Sequence, residues 1–383
     1  MAQHNSFTRG LVLPGGGARG AYQAGALKAI ADLLPGDANP FPVIAGTSVG
    51  AINAIALAAG ARHFEQSVRN LSQFWRTLRT SDVYRTDLPT IAGRGLHWIT
   101  SLTPLTALGL PRPRSMLDNE PLRRLLSERV DFAAIGDAIE HGALKSISVT
   151  ASSYDRGTAV TFFEGASDIT GWTRVRREGV PTKLSVDHLM AATALPFAFP
   201  AQRIGHEHYG DGSLRLMAPL SPAIHTGADK ILVIAVRDRK LSPAPTEGEC
   251  RYPSLGSISG SLLDILFMDS IDADIERARR IDNTLSLIEP DHRVDASLRN
   301  IEVMVLEPSQ DVRVIARRYE DAMPWTIKML FHRFGIWEHD WRMVSYLMFE
   351  APYLEALMDL GYRDTIARSA DLAKFFGTTQ GSA

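Results

Sequence analysis

Residues 46–50, Gly-Thr-Ser-Val-Gly, have the form G-x-S-x-G and lie between an apolar run at 41–45 and an Ala-rich run at 51–61. In a strand, turn, helix setting this pattern is a nucleophile elbow: a strained turn pushes a serine hydroxyl out of the sheet, and small flanking residues let neighbouring backbone pack close. Ser48 is the candidate nucleophile, with Gly46 and Gly50 as its steric support. A plain glycine turn carrying a spectator serine fits the same five residues. Residues 14–20, PGGGARG, also join an apolar run to a helix-like run. Gly15, Gly17 and Gly20 satisfy the dinucleotide fingerprint G-x-G-x-x-G, but Asp37 precedes the second strand where a ribose-binding acid should end it. A phosphate-binding P-loop fails as well, because Ala21 and Tyr22 stand where Lys and Ser or Thr are required. Backbone N–H groups at a helix N-terminus suit another task, holding the negative charge on a carbonyl oxygen that a serine attacks. The amides near Gly16, Gly17 and Ala18 then form a candidate oxyanion hole. Arg19, a cation at the positive end of a helix, calls for an anion or acidic partner nearby.

An attacking serine needs a base. A Ser, Asp, His order requires a late histidine, and His225, His292, His332 and His339 are the candidates. None follows a strand in a persuasive turn. Asp211-Gly212 does follow an apparent strand, although Asp-Gly is also one of the commonest turn dipeptides.

The elements that must position these residues follow from periodicity. Residues 9–14 read as a buried strand, 19–34 as a helix, and 41–61 repeat the plan, so the fold class is α/β with parallel strands. Further strands are expected at 144–152, 158–164, 202–209, 230–236 and 301–308, and helical periodicity over 258–285. The chain has 383 residues, enough for one large domain with an appendage or for two. A net charge of −2 gives no electrostatic reason to expect nucleic acid. Cys250 is the single cysteine and suits a reducing compartment. The N-terminal residues lack the pattern of an export signal, and apolar windows such as 49–61 are too short to span a membrane. A cytoplasmic protein with at most peripheral membrane contact is expected.

Taken in order and register, PGGGARG, GTSVG and Asp211-Gly212-Ser213 resemble the patatin-like phospholipases. The blocks LDNEPLRRLL at 117–126, MAATALPFAFPAQ at 190–202 and YGDGSLRLMAPLSPAI at 209–224 extend the likeness over most of residues 8–240. The resemblance implies a three-layer α/β/α fold with a mostly parallel central sheet and a helical C-terminal extension. It implies a Ser-Asp dyad in place of a triad: Ser48 as nucleophile, Asp211 as base, Gly212 as motif support, and Gly15, Gly16 and Gly17 with Arg19 as the oxyanion loop. Pro14 stands where many members carry Asp, and Ser213 where Gly or Ala is usual. The implied function is hydrolysis of lipid carboxylic esters, of phospholipase A or lysophospholipase type, with no cofactor. The alternatives are a carboxylesterase or thioesterase on soluble acyl esters and, from another class, a nucleotide-binding oxidoreductase.

The expected organisation is a catalytic domain at 8–240, a linker or excursion at 241–257, and a mainly helical region at 258–383 with one added strand near 301–308. Residues 69–114 carry seven arginines against Asp82 and Asp87, a local charge of +5, interleaved with Phe74, Trp75, Tyr84 and Trp98. Such a segment suits either a cap that meets an anionic membrane or a solvated face over core aromatics. Leu330, Phe334, Trp337, Trp341, Val344 and Met348 read as one apolar helical stripe ended by Pro352. His206 and His208 lack a third ligand, so no metal is assigned.

Overall fold

The computed structural model describes residues 7–34, 36–87, 115–237, 252, 254–288, 298–333 and 341–378. Ten strands form one sheet among them: β1 Arg9–Leu13, β2 Val43–Thr47, β3 Ser146–Ser153, β4 Thr158–Gly165, β5 Trp172–Arg174, β6 Arg177–Pro181, β7 Gln202–Ile204, β8 Glu207–Asp211, β9 Lys230–Ile234 and β10 Glu302–Leu306. The order β10-β9-β1-β2-β3 is parallel throughout. β4 and β8 both pair antiparallel with β3. Every residue of β2 and β3 is buried, as expected for strands covered on both faces.

Helices α1 (Ala21–Leu33) and α2 (Val49–Ala59) carry the chain from β1 to β2 and from β2 to β3. Right-handed crossovers put both on one face; the step from β9 to β10 runs the opposite way, which puts the helical segment 255–286 on the other. The result is a three-layer α/β/α fold with a mostly parallel sheet. Helix Ala351–Ala367 of the C-terminal region packs along α1 so closely that a Cβ on Gly25 would lie 1.9 Å from the Met358 carbonyl oxygen.

Helix α3 (Phe64–Thr77) packs against α1 and α2, and Trp75 and Tyr84 are fully buried. Residues 69–87 of the arginine-rich segment thus belong to the body of the fold, while 88–114 lie outside the described residues. The expected linker at 241–257 lies mostly outside them too.

Three expectations need correction. The strand expected at 202–209 is a hairpin, β7 and β8, because Gly205 adopts φ +60° and turns the chain. The apolar stripe is not one helix: helices Trp325–Arg333 and Arg342–Leu347 are distinct, with Trp341 at φ +51° before the second. Phe334 and Trp337 lie outside the described residues. Pro352 ends no helix but opens Ala351–Ala367, where its missing N–H costs nothing. The short hairpin β5–β6 escaped the sequence reading because its strands are brief and half-exposed.

Candidate active site

Ser48 is the turn residue between β2 and α2, with φ +51° and ψ −130°. A non-glycine residue at positive φ is strained and persists only where its surroundings demand it. The demand here is steric: a Cβ on Gly50 would lie 1.9 Å from the Leu13 carbonyl oxygen, so β1 and the start of α2 approach to backbone contact. Gly46 and Gly212 leave similar room, since a Cβ on the first would lie 2.4 Å from the Gly50 oxygen and one on the second 2.1 Å from the Thr150 oxygen.

Sheet register brings the aspartate to this serine. Thr47, the last residue of β2, pairs with Thr150, and the next residue of β3, Ala151, pairs with Asp211 at the end of β8. Asp211 therefore stands two strands away, on the order of 10 Å across the backbone, at the carboxyl edge of the parallel strands, where ligands bind in open α/β sheets. Its N–H donates to the Ala194 carbonyl at 2.9 Å. Its Oδ1 accepts the Ser213 N–H at 2.9 Å, and its Oδ2 has no hydrogen-bond partner among the described residues. Burial pushes the Asp211 carboxyl up to about 6, against the opposing pull of the nearby Ser48 side chain and of Ser213. The Ser48 hydroxyl is thus close enough to favour the carboxylate although no hydrogen bond of ordinary geometry joins them, a separation common before substrate arrives.

The glycine loop runs from the end of β1 into a single turn, Gly17–Gly20, that leads into α1. The first amides of a helical turn have no acceptor within it, so Gly17 and Ala18 are donors in search of one. Gly17 has φ +55°, and a Cβ there would lie 2.2 Å from the Tyr346 carbonyl oxygen. Buried polar side chains hold the loop at both ends. Gln23 Nε2 donates to the carbonyls of Pro14 (3.0 Å) and Ile234 (3.1 Å). Asn53 Nδ2 donates to the Gly20 carbonyl (3.1 Å) and to Gln23 Oε1 (2.8 Å), and Asn53 Oδ1 accepts the Trp75 indole N–H (2.9 Å).

Arg19 is buried and turned toward the C-terminal region. Its guanidinium meets Asp264 at 3.3 Å and Ser345 Oγ at 2.7 Å, and it lies 3.7 Å over the centre of the Tyr346 ring. A cavity of about 50 Å³ opens beside Ser48, walled by Val49, Ile52, Phe74, Phe199, Phe267 and Leu347. It is apolar, with room for no more than about three water-sized molecules.

His225 is half-buried beside Trp172, on helix Ser221–His225, and its Nε2 has no hydrogen-bond partner among the described residues. Burial and nearby arginines push its pKa down. Among the described residues no group of three or more His, Cys, Asp or Glu side chains converges as a metal site, and no helix is long and apolar enough to cross a membrane. Sequence reasoning missed Gln23, Asn53, Asp264, Phe267 and Tyr346. Asn53 had a signal, a lone amide inside an apolar helix that must find buried partners. Asp264 and Tyr346 had none, since their partner Arg19 is more than 240 residues away in sequence.

Residues 11–224 match the family model described as Patatin-like phospholipase. No curated protein matches the chain. Among solved structures, the chain is similar to VipD from Legionella pneumophila (12% identity, TM-score 0.40, covering 95% of this chain and 67% of that one). It is similar also to the type III effector ExoU of Pseudomonas aeruginosa (14%, 0.36, covering 96% and 53%). A third is human GIVD cytosolic phospholipase A2, solved with a fluorophosphonate inhibitor (11%, 0.41, covering 97% and 59%). The chain thus spans between about half and two thirds of the length of these proteins.

Proposed function

Because this chain belongs to the patatin-like phospholipase family, we propose that it is a serine hydrolase of lipid carboxylic esters, of phospholipase A or lysophospholipase type, working through Ser48 and Asp211. The observation that carries the reading is the register that places a buried, half-unpaired Asp211 against a serine held at positive φ. Gly15, Gly16 and Gly17, with Arg19 as the anchor of their loop, supply the oxyanion hole.

In this mechanism Ser48 Oγ attacks the ester carbonyl carbon while Asp211 Oδ2 takes its proton. The carbonyl oxygen becomes an oxyanion held by the loop amides. The intermediate collapses as the bond to the leaving oxygen breaks and Asp211 returns the proton to it. Water then attacks the acyl-serine, Asp211 takes its proton, and collapse releases the fatty acid and restores the Ser48 hydroxyl. An aspartate near pKa 6 is matched to both roles, since it is ionised at neutral pH yet basic enough to accept a proton. The lipid is met at a membrane surface from the aqueous side, as a peripheral contact.

A second reading, a carboxylesterase or thioesterase on soluble short-chain esters, is favoured by the small cavity beside Ser48. Intact-mass measurement after exposure to an alkyl fluorophosphonate tests the common core. One adduct on the wild-type protein and none on Ser48→Ala is expected; an adduct that survives in the variant, or none on the folded wild type, defeats it. Turnover of long-chain phospholipid against p-nitrophenyl butyrate then separates the two readings.

A further inference from the structure

We propose that Asp264 is a positioning residue for the glycine loop, acting through Arg19, so that a segment beyond the family-matched residues sets the geometry of the oxyanion hole. This rests on the hydrolase reading, because it concerns the same site.

Arg19 lies in the turn that carries the candidate oxyanion amides, and its side chain is 1% exposed. A buried guanidinium without partners costs several kcal/mol, so the partners decide where it and its backbone sit. They come from the C-terminal region. Arg19 Nη1 meets Asp264 Oδ1 at 3.3 Å, Nη2 and Nε meet Ser345 Oγ at 2.7 and 3.1 Å, and Nη2 reaches the Arg342 carbonyl at 3.5 Å. The Tyr346 ring covers the guanidinium face, and the Tyr346 hydroxyl donates to the same Asp264 oxygen at 2.7 Å. Asp264 Oδ2 faces Arg237 at 3.7 Å and Arg342 at 3.6 Å, so this carboxylate is the hub on which three cations meet.

The same two elements touch the loop again ahead of Arg19, at Gly15 and Gly17. Immediately after Asp264, residues Ile265–Asp269 wind as a π-helix, a rare local widening. That turn holds Phe267 so close to the loop that a Cβ on Gly15 would lie 2.5 Å from its ring. The Tyr346 carbonyl oxygen presses on Gly17 in the same way. The loop is thus gripped at Gly15, Gly17 and Arg19, and Asp264 supplies the charge that fixes the third grip. Oxyanion donors have to meet their oxygen at hydrogen-bond distance, and a displacement of about 1 Å costs roughly 100-fold in rate.

The test uses the full chain with Asp264→Asn, Ser345→Ala and Tyr346→Phe, the last keeping the ring over Arg19 and losing only the hydroxyl. With p-nitrophenyl butyrate, Asp264→Asn is expected to lower kcat by about 30- to 300-fold and Tyr346→Phe by about 10-fold, with KM within about two-fold. The inhibition constant of an alkyl trifluoromethyl ketone should rise in step with the loss of kcat/KM, because its serine adduct places an oxyanion in the same hole. A merely structural role would not link those two quantities. Folded Asp264→Asn with kcat within about two-fold of wild type overturns the proposal, as does a kcat loss without the matching change in inhibition. Should Asp264→Asn fail to fold, Tyr346→Phe is judged by the same criteria. Wild type unreactive toward both fluorophosphonate and ketone would instead defeat the hydrolase reading itself.

Discussion

Asn53 and Trp75, on α2 and α3, are joined by a buried hydrogen bond of 2.9 Å, and the other end of the same amide donates to the Gly20 carbonyl and to Gln23. One side chain thereby ties the helix behind Ser48 to the far end of the glycine loop. Asn53→Ala takes away the partner of the Trp75 N–H and of the Gln23 side-chain oxygen in the core. Chemical denaturation is expected to show a loss of about 2–4 kcal/mol, given the cost of each stranded buried group. Fluorophosphonate labelling of the remaining folded protein should slow as well.

Asp211→Asn is expected to lower kcat by about 100- to 10,000-fold and yet to stabilise the protein above pH 6. The carboxyl is raised from an ordinary value of 3.8 to about 6. Between these values the folded protein keeps a proton that the unfolded chain has released, so stability falls as pH rises from about 4 to 6. Above that range the buried carboxylate costs on the order of 3 kcal/mol. Denaturant titrations at pH 8 should favour the variant by up to that amount, with the gap closing toward pH 4.

The acid limb of kcat/KM should fall tenfold per pH unit below about pH 6, because the free enzyme must hold Asp211 ionised to accept the serine proton. A pH-rate profile with a soluble ester checks this. A limb near pH 4 would mean that the base serving Ser48 is not a carboxyl raised by burial.

Gly17→Ala combines a positive φ with a methyl 2.2 Å from the Tyr346 carbonyl oxygen. Either the loop or helix Arg342–Leu347 must move. Loss of one oxyanion donor costs about 100- to 1000-fold, and a kcat loss of that order is expected with the protein still folded by circular dichroism.

Phe267→Ala enlarges the apolar cavity beside Ser48. The ratio of kcat/KM for long-chain over short-chain p-nitrophenyl esters should rise several-fold. Thermal denaturation should record a loss of about 3 kcal/mol or more, the usual range for emptying a buried phenylalanine site.

Features that are local in the chain were legible from the residues alone. GTSVG carried a strained strand-to-helix turn, PGGGARG a helix start with free amides, and the apolar runs at 9–14 and 41–45 two buried parallel strands, because turn chemistry and periodicity act within a few residues. Asp211 stood out less, since Asp-Gly serves any turn; the register β2-β3-β8 is what brings it to Ser48. Gly205 hid a hairpin inside one expected strand, and Trp341 broke an apparently continuous stripe. The role of Arg19 emerges from the packing of distant segments. Its charge announced that a partner was required, but Asp264, Ser345 and Tyr346 lie 245 or more residues along the chain. A pairing of that kind is set by how the C-terminal helices pack on α1 and the glycine loop, and no periodicity in the sequence encodes it.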